Sequence, residues 1–211
     1  MVLPRNAIFQ DRKHAAYHLA ERLREYAGDD SVVVAVSGGG VEVALPVAHA
    51  LELPVEVIPC RKLKHPADEN RTIGAVSVSA VVVHEDDNDI PQDYLYHQIR
   101  LLQHAIKGQQ KELGRGSLKD AVAGKLVILI DDVLMTGDSV LACVRSLRPF
   151  GPSEIILAVP IVTPDGARAV ASDLKSMIYL TIEGQPVGKL YADFPDVSDE
   201  QVIALMQAEA H

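Results

Sequence analysis

The chain has 211 residues, 48% of them hydrophobic, which suffices for one sizeable core and predicts a single domain over residues 1–211 with a small appendage. Its formal charge of −9 disfavours a nucleic-acid partner, since such proteins present a net basic face. No apolar run reaches the roughly 18 residues of a membrane span, and the N-terminus has no signal-peptide core. The sequence thus predicts neither a membrane partner nor export.

The two cysteines indicate a reducing compartment. Cys60 and Cys143 each lie in or beside an apolar segment. This placement favours buried free thiols in a reducing environment over a disulfide framework. The sequence therefore predicts a cytoplasmic protein.

Strand and helix signals alternate along the chain. In order, they predict a helix over 11–26, a strand over 32–36, a helix over 41–51 with Pro46 near its start or at a kink, a strand over 54–59, strand residues Val76, Val78 and 81–83, a helix over 92–112, a strand over 126–130, a helix over 139–147, a strand over 154–162, a helix over 164–171, a strand over 176–182 and a helix from about 198. Continuous apolar strands alternating with helices predict an α/β fold, a Rossmann-like parallel sheet with helices on both faces. Ligands of such sheets bind beyond the carboxyl ends of the strands.

Two polar segments interrupt this pattern before the long helix. Residues 64–72 include Pro66 and have the composition of a mobile loop. The acidic segment 84–89, HEDDND, carries metal-ligating side chains and follows a predicted hairpin strand. At a hairpin tip, a solvated turn is about four times more probable than a metal site.

The stretch KLVILIDDVLMTGDSV places paired carboxylates at the end of a central strand. There, Asp131 and Asp132 fall where the ligand crevice is expected, and at a frayed strand end both can bracket a polyol. The loop then enters a helix whose first N–H groups suit a phosphate. Gly137 allows close backbone approach, and Thr136 and Ser139 add hydroxyl groups. The combination describes a sugar-phosphate site.

Simpler interpretations of these motifs stay open. The paired aspartates can be solvated carboxylates, and Thr136 or Asp138 can be a helix N-cap. The glycine cluster of AVSGGGVEV can be a tight strand-to-helix turn. It also resembles the start of the ATP-pyrophosphatase loop, which would imply adenylation of a substrate, but Val41 and Glu42 stand where that pattern needs an acid and a hydroxyl residue.

The complete string around the paired aspartates resembles a known family. An apolar strand, Asp-Asp, two apolar residues, a variable residue and Thr-Gly-x-Ser are similar to the phosphoribosyl pyrophosphate loop of the type I phosphoribosyltransferases. FQDRKHAAYHLAERL, RKLKHPADENRTIGAVS and VGKLYADFPDVSDEQV resemble segments of a stand-alone group in that family, so the resemblance covers nearly the whole chain. It implies a five-stranded parallel core, a small hood made from terminal and inserted segments, and phosphoribosyl pyrophosphate and Mg²⁺ as ligands.

The resemblance also implies residue roles. It assigns Asp131 and Asp132 to the ribose hydroxyls, Thr136, Gly137, Asp138 and Ser139 to the 5-phosphate, Ser37, Gly38, Gly39 and Gly40 to the pyrophosphate, Arg61 and Lys62 to the leaving group, and Tyr191, Asp193 and Phe194 to a hood over the base. Residues 64–72 would form a lid that keeps water from a cation-like sugar. Mg²⁺ would be held mainly through substrate oxygens, with Asp131 and Asp132 the protein groups in reach. Asp132→Asn is then expected to weaken catalysis far more than folding.

Three departures from the family pattern bear on activity. Met135 cannot handle a base proton, Asp138 brings negative charge into a phosphate cradle, and Ser37 and Gly38 stand where related sequences carry a Pro-Arg pair. The sequence predicts a phosphoribosyltransferase that uses Mg²⁺, acts on an unidentified nitrogenous base and releases pyrophosphate. The alternative is a non-catalytic module of this fold that senses phosphoribosyl pyrophosphate or a nucleotide. The amphipathic helix over 92–112 can serve a homodimer, although packing on its own sheet is the default.

Overall fold

The computed structural model describes residues 7–28, 30–84, 90–184 and 190–209. Its elements in chain order are α1 (Arg12–Arg22), β1 (Ser31–Val36), α2 (Gly39–Leu51), β2 (Val55–Ile58), β3 (Cys60–His65), β4 (Asp68–Ser77), β5 (Val81–Val83), α3 (Gln92–Leu113), α4 (Leu118–Val122), β6 (Leu126–Ile130), α5 (Asp138–Leu147), β7 (Glu154–Val162), α6 (Pro164–Val170), β8 (Ser176–Ile182) and α7 (Asp199–Glu209). Short 3-10 turns follow α1 and α5.

Five parallel strands form the central sheet in the order β2-β1-β6-β7-β8. Every residue of β1 is buried, because α1, α2 and α7 pack on one face of the sheet while α4, α5 and α6 pack on the other. A strand covered on both faces needs apolar residues at every position, which explains the unbroken apolar runs of the sequence. The predicted three-layer α/β fold is confirmed.

A smaller antiparallel sheet, β3-β4-β5, is inserted between β2 and β6 and forms a hood. Leu63, Ile73 and Ile90 give it an apolar cluster of its own, against which side chains of α3 pack. The terminal segments meet beside the main sheet, where Phe9 pairs with Tyr191 as an isolated bridge. These inserted and terminal pieces surround the carboxyl edge of the central sheet.

Two predictions about the hood are wrong. Residues 64–72 are not a loop but the outer half of the β3–β4 hairpin, which turns at Pro66 and Ala67. The start of β4 is exposed, so its polar side chains face water and carry no apolar alternation. The β4–β5 hairpin turns through residues 78–80 instead of the acidic segment 84–89. Within that segment, 85–89 lie outside the described residues.

Helix α2 also begins earlier than predicted, at Gly39, and contains Pro46 in its interior. Gly39 and Gly40 therefore belong to the first turn of the helix, Gly38 is its N-cap, and Ser37 lies before it. Helix α1 ends at Arg22, and a 3-10 turn replaces its predicted last turn. Both changes concern element ends, whereas β3 and α4 are elements that the sequence analysis did not predict.

Candidate ligand cleft

A cleft of about 680 Å³ opens at the carboxyl ends of β1 and β6, as the rule for parallel sheets predicts. The segments that line it come from α1, the glycine turn, β3, the loop after β6, the start of α5 and the C-terminal segment. The catalytic and substrate-binding residues that the sequence assigned to the site all line the cleft, except Gly40 and Arg61. The structure thus gathers most of the predicted side chains in one place.

Asp131 directly follows β6, and its carboxylate turns back onto the backbone. Its Oδ1 accepts a hydrogen bond from the Asp132 amide at 2.9 Å. Burial raises the pKa of Asp131 well above its ordinary value, and the negative charge of Asp132 raises it further. Gly40 lies beneath, where a Cβ would come within 2.9 Å of the Ile130 carbonyl oxygen. Gly40 therefore allows close packing under Asp131, which is how it serves the cleft without lining it.

Asp132 is ion-paired with Arg12 of α1, a residue that the sequence analysis missed. The Arg12 Nε donates to Asp132 Oδ2 at 2.7 Å, and its Nη1 donates to the Pro195 carbonyl oxygen at 2.8 Å and to Glu42 Oε2 at 3.2 Å. Both residues are largely buried. The Asp132 carboxylate is therefore held in place before any ligand arrives.

Gly39 lies against this ion pair. A Cβ on Gly39 would stand 1.9 Å from Asp132 Oδ2 and 2.5 Å from Arg12 Nε. No side chain fits there unless the pair separates. The glycine turn thus has a packing reason beyond backbone approach to a ligand.

Gly39→Ala is expected to destabilise the protein by about 1–3 kcal/mol, the usual cost of overpacking, and to weaken ligand binding in the cleft. Urea denaturation and ligand titration test this. Gly108→Ala is the matched control, since Gly108 lies in α3 with open space around its Cβ position. Equal stability of the two variants would contradict the proposed packing.

Two aromatic rings from the C-terminal segment support the same ion pair. Tyr191 and Phe194 stack with ring centroids 4.6 Å apart, and the Arg12 guanidinium carbon lies 3.9 Å from the Phe194 centroid. The buried Tyr191 hydroxyl donates to the Asp132 carbonyl oxygen at 3.0 Å. Burial raises the pKa of Tyr191, so the phenol keeps its proton for this bond. Of the predicted hood residues, only Phe194 lines the cleft.

The loop before α5 is shaped by Gly137, the N-cap of that helix, which has a φ of 89°. A Cβ there would lie 2.9 Å from Val170 Cγ1 and 3.0 Å from Ala169 Cβ of α6, so glycine is required for both conformation and packing. The first residues of α5 belong to the cleft lining. This end of the helix can accept an anion.

Asp138 is the first residue of α5, so its predicted N-cap role is wrong. Its carboxylate is buried and does not point to solvent. It accepts a hydrogen bond from Thr136 Oγ1 at 2.7 Å and lies 2.9 Å from His84 Nε2, a residue at the end of the hood sheet. These two partners compensate the negative charge that the sequence places in the cradle.

Only one of the two predicted basic residues reaches the cleft. Lys62 lines it, whereas Arg61 donates to Gln109 Oε1 at 3.1 Å and pairs with Asp199 at the start of α7. The buried Gln109 also donates to Ser37 Oγ at 3.0 Å. Neighbouring residues of a strand point to opposite faces, so Arg61 and Lys62 cannot both face one ligand.

Lys62→Met is expected to weaken the binding of a phosphorylated ligand about tenfold, as the loss of one charge-assisted hydrogen bond would. The melting temperature should change little. Arg61→Met is the paired variant, and it should lower the melting temperature because it removes contacts with Gln109 and Asp199. Calorimetric titration and thermal melting distinguish the two. The reverse pattern would place Arg61 in the ligand site.

The side chains of the cleft could bind a hard metal ion only if a bound ligand supplied some of the coordinating oxygens. Its described lining contains four carboxylates, Asp131, Asp132, Asp138 and Asp196, and two cations, Arg12 and Lys62. Among the described residues, no group of three or more His, Cys, Asp or Glu side chains is arranged to hold a metal. Carboxylate oxygens suit Mg²⁺, which would need ligand oxygens and water to complete its shell.

Fold and cleft together define a three-layer α/β protein whose paired carboxylates and helix N-terminus meet at the carboxyl edge of the sheet. The family model described as phosphoribosyl transferase domain matches residues 3–189. The chain therefore belongs to the phosphoribosyl transferase domain family. No helix within the described residues is long and apolar enough to cross a bilayer.

Individual relatives agree with this family. “Putative phosphoribosyl transferase MT0597” of Mycobacterium tuberculosis (strain CDC 1551 / Oshkosh) is 28% identical over 207 residues, which cover 94% of this chain and 46% of that protein. The chain thus spans about half the length of the curated relatives it matches. The crystal structure of TT1426 from Thermus thermophilus has a TM-score of 0.75 at 29% identity, with 95% of this chain and 98% of that one covered.

A more distant structure supports the fold alone. The hypoxanthine-guanine phosphoribosyltransferase of Bacillus anthracis has a TM-score of 0.51 at 13% identity, covering 87% of this chain and 86% of that one. Its arrangement of strands and helices resembles that of this chain.

Proposed function

We propose that this chain binds phosphoribosyl pyrophosphate with Mg²⁺ and transfers the phosphoribosyl group to a nitrogenous base. One observation carries the proposal: Asp131, Asp132 and the N-terminus of α5 line a single cleft in a chain of the phosphoribosyl transferase domain family. Carboxylates suit the two ribose hydroxyls, and a helix N-terminus suits the 5-phosphate. A sugar phosphate is the ligand that needs both.

The reaction would replace one bond at the anomeric carbon. A ring nitrogen of the base forms the new C–N bond, and the C–O bond to pyrophosphate breaks with its electron pair leaving on pyrophosphate. Mg²⁺ would supply charge neutralisation on the pyrophosphate oxygens. Asp131 and Asp132 hold the ribose and face the positive charge that develops on it, and Lys62 faces the leaving group. These residues lower the barrier by orientation and electrostatics.

The residue before Thr136 bears on the acceptor. Met135 is 48% exposed at the cleft and has no group that accepts a proton. The base would therefore lose its proton to water or to another group of the cleft, or react through a nitrogen that is already deprotonated. We expect an acceptor that is acidic enough to ionise in solution, which can be screened by measuring pyrophosphate release with bases of graded acidity.

A second candidate function is sensing of phosphoribosyl pyrophosphate or a nucleotide without turnover. Met135 and the buried Asp138 favour it, since the first removes a proton acceptor and the second adds negative charge beside an anion cradle. Lys62 in the cleft favours the transferase, because a cation on the leaving group assists bond cleavage. Binding of phosphoribosyl pyrophosphate without release of its pyrophosphate in the presence of any base tested would decide for the sensor.

Calorimetric titration of phosphoribosyl pyrophosphate into the wild type and an Asp131→Asn, Asp132→Asn double variant, with and without Mg²⁺, tests the binding step. We expect metal-dependent binding that the double variant loses. Asp120→Asn is the control, because Asp120 is exposed on α4 away from the cleft. Absence of binding to the folded wild type would overturn the proposal.

Three further predictions accompany this function. We expect a cytoplasmic location because both cysteines are buried and free, as in proteins of a reducing compartment.

A homodimer would use the long helix α3, and sedimentation measurements test it. A single domain over residues 1–211 is tested by one cooperative unfolding transition.

A further inference from the structure

Two thiols meet where the hood packs on α5, in one wall of the cleft. Cys60 begins β3 and lines the cleft, whereas Cys143 in α5 is fully buried. Cys60 Sγ lies 3.8 Å from the carbonyl oxygen of Ser139, one helical turn before Cys143. Ser77, the partner of Cys60 in the β3–β4 ladder, has its hydroxyl 3.8 Å from Cys143 Sγ. These contacts bring the two sulfur atoms together from opposite elements.

The two thiols differ in acidity. A hydrogen bond with Cys143 lowers the pKa of Cys60 against the opposing effect of burial, and the Ser139 side chain and Arg61 contribute in the lowering direction. Burial raises the pKa of Cys143 well above its ordinary value. The sulfur on the cleft side therefore has more thiolate character, and its buried partner keeps its proton. A reactive and a resolving cysteine differ in this way.

We propose that Cys60 and Cys143 are a modification site for peroxides, which convert the two thiols into a reversible disulfide between β3 and α5. The Cys60 thiolate attacks a peroxide oxygen, the O–O bond breaks, and hydroxide leaves, giving a sulfenic acid. Cys143 then transfers its proton and attacks the Cys60 sulfur, and the S–O bond breaks with loss of water. Overall, two thiols and hydrogen peroxide give a disulfide and two waters, so sulfur is oxidised and peroxide is reduced.

The surroundings favour this pair as the reactive one. The cleft gives a small peroxide a path to Cys60, and the second thiol lies ready inside the protein, so the sulfenic acid is resolved before further oxidation. Disulfides in reducing compartments are usually transient, which fits a site that is reduced at rest.

The disulfide would also act on ligand binding, and this part rests on the proposed function. An S–S bond of about 2 Å is shorter than a contact between thiols, so it draws α5 towards the hood strand. Cys60 also loses its contact with Ser139 in the cradle, and Lys62 lies two residues further along β3. We expect about tenfold weaker binding of phosphoribosyl pyrophosphate to the oxidised protein, a usual size for coupling between sites.

Intact-mass analysis after peroxide treatment and alkylation of the unfolded protein tests the chemistry. Wild-type protein should lose both free thiols and two hydrogens of mass, and dithiothreitol should restore them. Cys143→Ala should stop at a Cys60 sulfenic acid that dimedone traps, and Cys60→Ala should leave Cys143 unreactive. Retention of both free thiols in the wild type, or equally fast oxidation of Cys143 in Cys60→Ala, would overturn the proposal.

Titration of phosphoribosyl pyrophosphate into the reduced and oxidised wild type tests the regulation separately. Linkage requires the ligand to disfavour the disulfide by the same factor, so a tenfold effect shifts its reduction potential by about 30 mV. Equal affinity of the two forms would overturn the regulation and leave the disulfide intact. Binding to neither form would instead refute the proposed ligand, while the mass analysis would still decide the oxidation.

Discussion

Asp131→Asn is expected to stabilise the folded protein while removing most of its activity. Burial, together with the charge of Asp132, raises the pKa of Asp131 well above its ordinary value of 3.8. A carboxyl group with a raised folded pKa stabilises the fold fully below its unfolded pKa and loses that contribution as pH rises through the folded pKa. At neutral pH the charged form is therefore unfavourable, and a neutral amide removes the cost.

The same substitution should lower activity although it raises stability, because the proposed ligand brings the positive charge that the Asp131 carboxylate would stabilise. Without the carboxylate, the cation-like sugar loses one stabilising group, and we expect a fall of about 10²–10³ in kcat. Thermal melting between pH 3 and 8 measures the stability effect, which should be absent at the acid end and grow as pH rises. Asp120→Asn should change neither quantity. A lower melting temperature at neutral pH would show that Asp131 is structural.

The sequence predicted the core of the fold and the loop after β6 for clear physical reasons. A strand buried on both faces must be apolar throughout, so β1, β6 and β7 are visible as runs. The loop residues from Asp131 to Ser139 are adjacent in sequence, so their chemistry can be read locally. Site residues that are neighbours in the sequence can therefore be identified from the sequence alone.

Other parts of the site have no local signal. Arg12 and Tyr191 come from opposite ends of the chain, and both contact Asp132 only in the folded structure. His84 reaches Asp138 from the hood, across a tertiary contact. The polar β3–β4 hairpin resembles a loop because water covers its outer half. The orientation of Arg61 away from the cleft follows from strand alternation, because neighbouring strand residues point to opposite faces and Lys62 lines the cleft. That inference requires knowing that β3 is a strand.

Arg12→Met is expected to cost about 3–5 kcal/mol of unfolding free energy, the range for breaking a buried ion pair. The change removes the guanidinium that forms a 2.7 Å ion pair with the Asp132 carboxylate. It also removes the cation that stacks on Phe194 and donates a hydrogen bond to the Pro195 carbonyl oxygen. Asp132→Asn should be destabilising for the complementary reason. The structure thus changes the expectation from the sequence, in which Asp132→Asn affects catalysis far more than folding.

A double-mutant cycle separates the ion pair from a direct role in binding. Arg12→Met combined with Asp132→Leu leaves no unpaired charge between these two positions, so we expect the double variant to be more stable than either single one. Urea denaturation measures that coupling. Arg12→Lys keeps the charge but not the guanidinium fork, and should bind phosphoribosyl pyrophosphate more weakly than the wild type even where it remains folded. Additive losses in the cycle would contradict the pairing, whereas unchanged ligand affinity in Arg12→Lys would mean that any cation at this position holds Asp132 well enough.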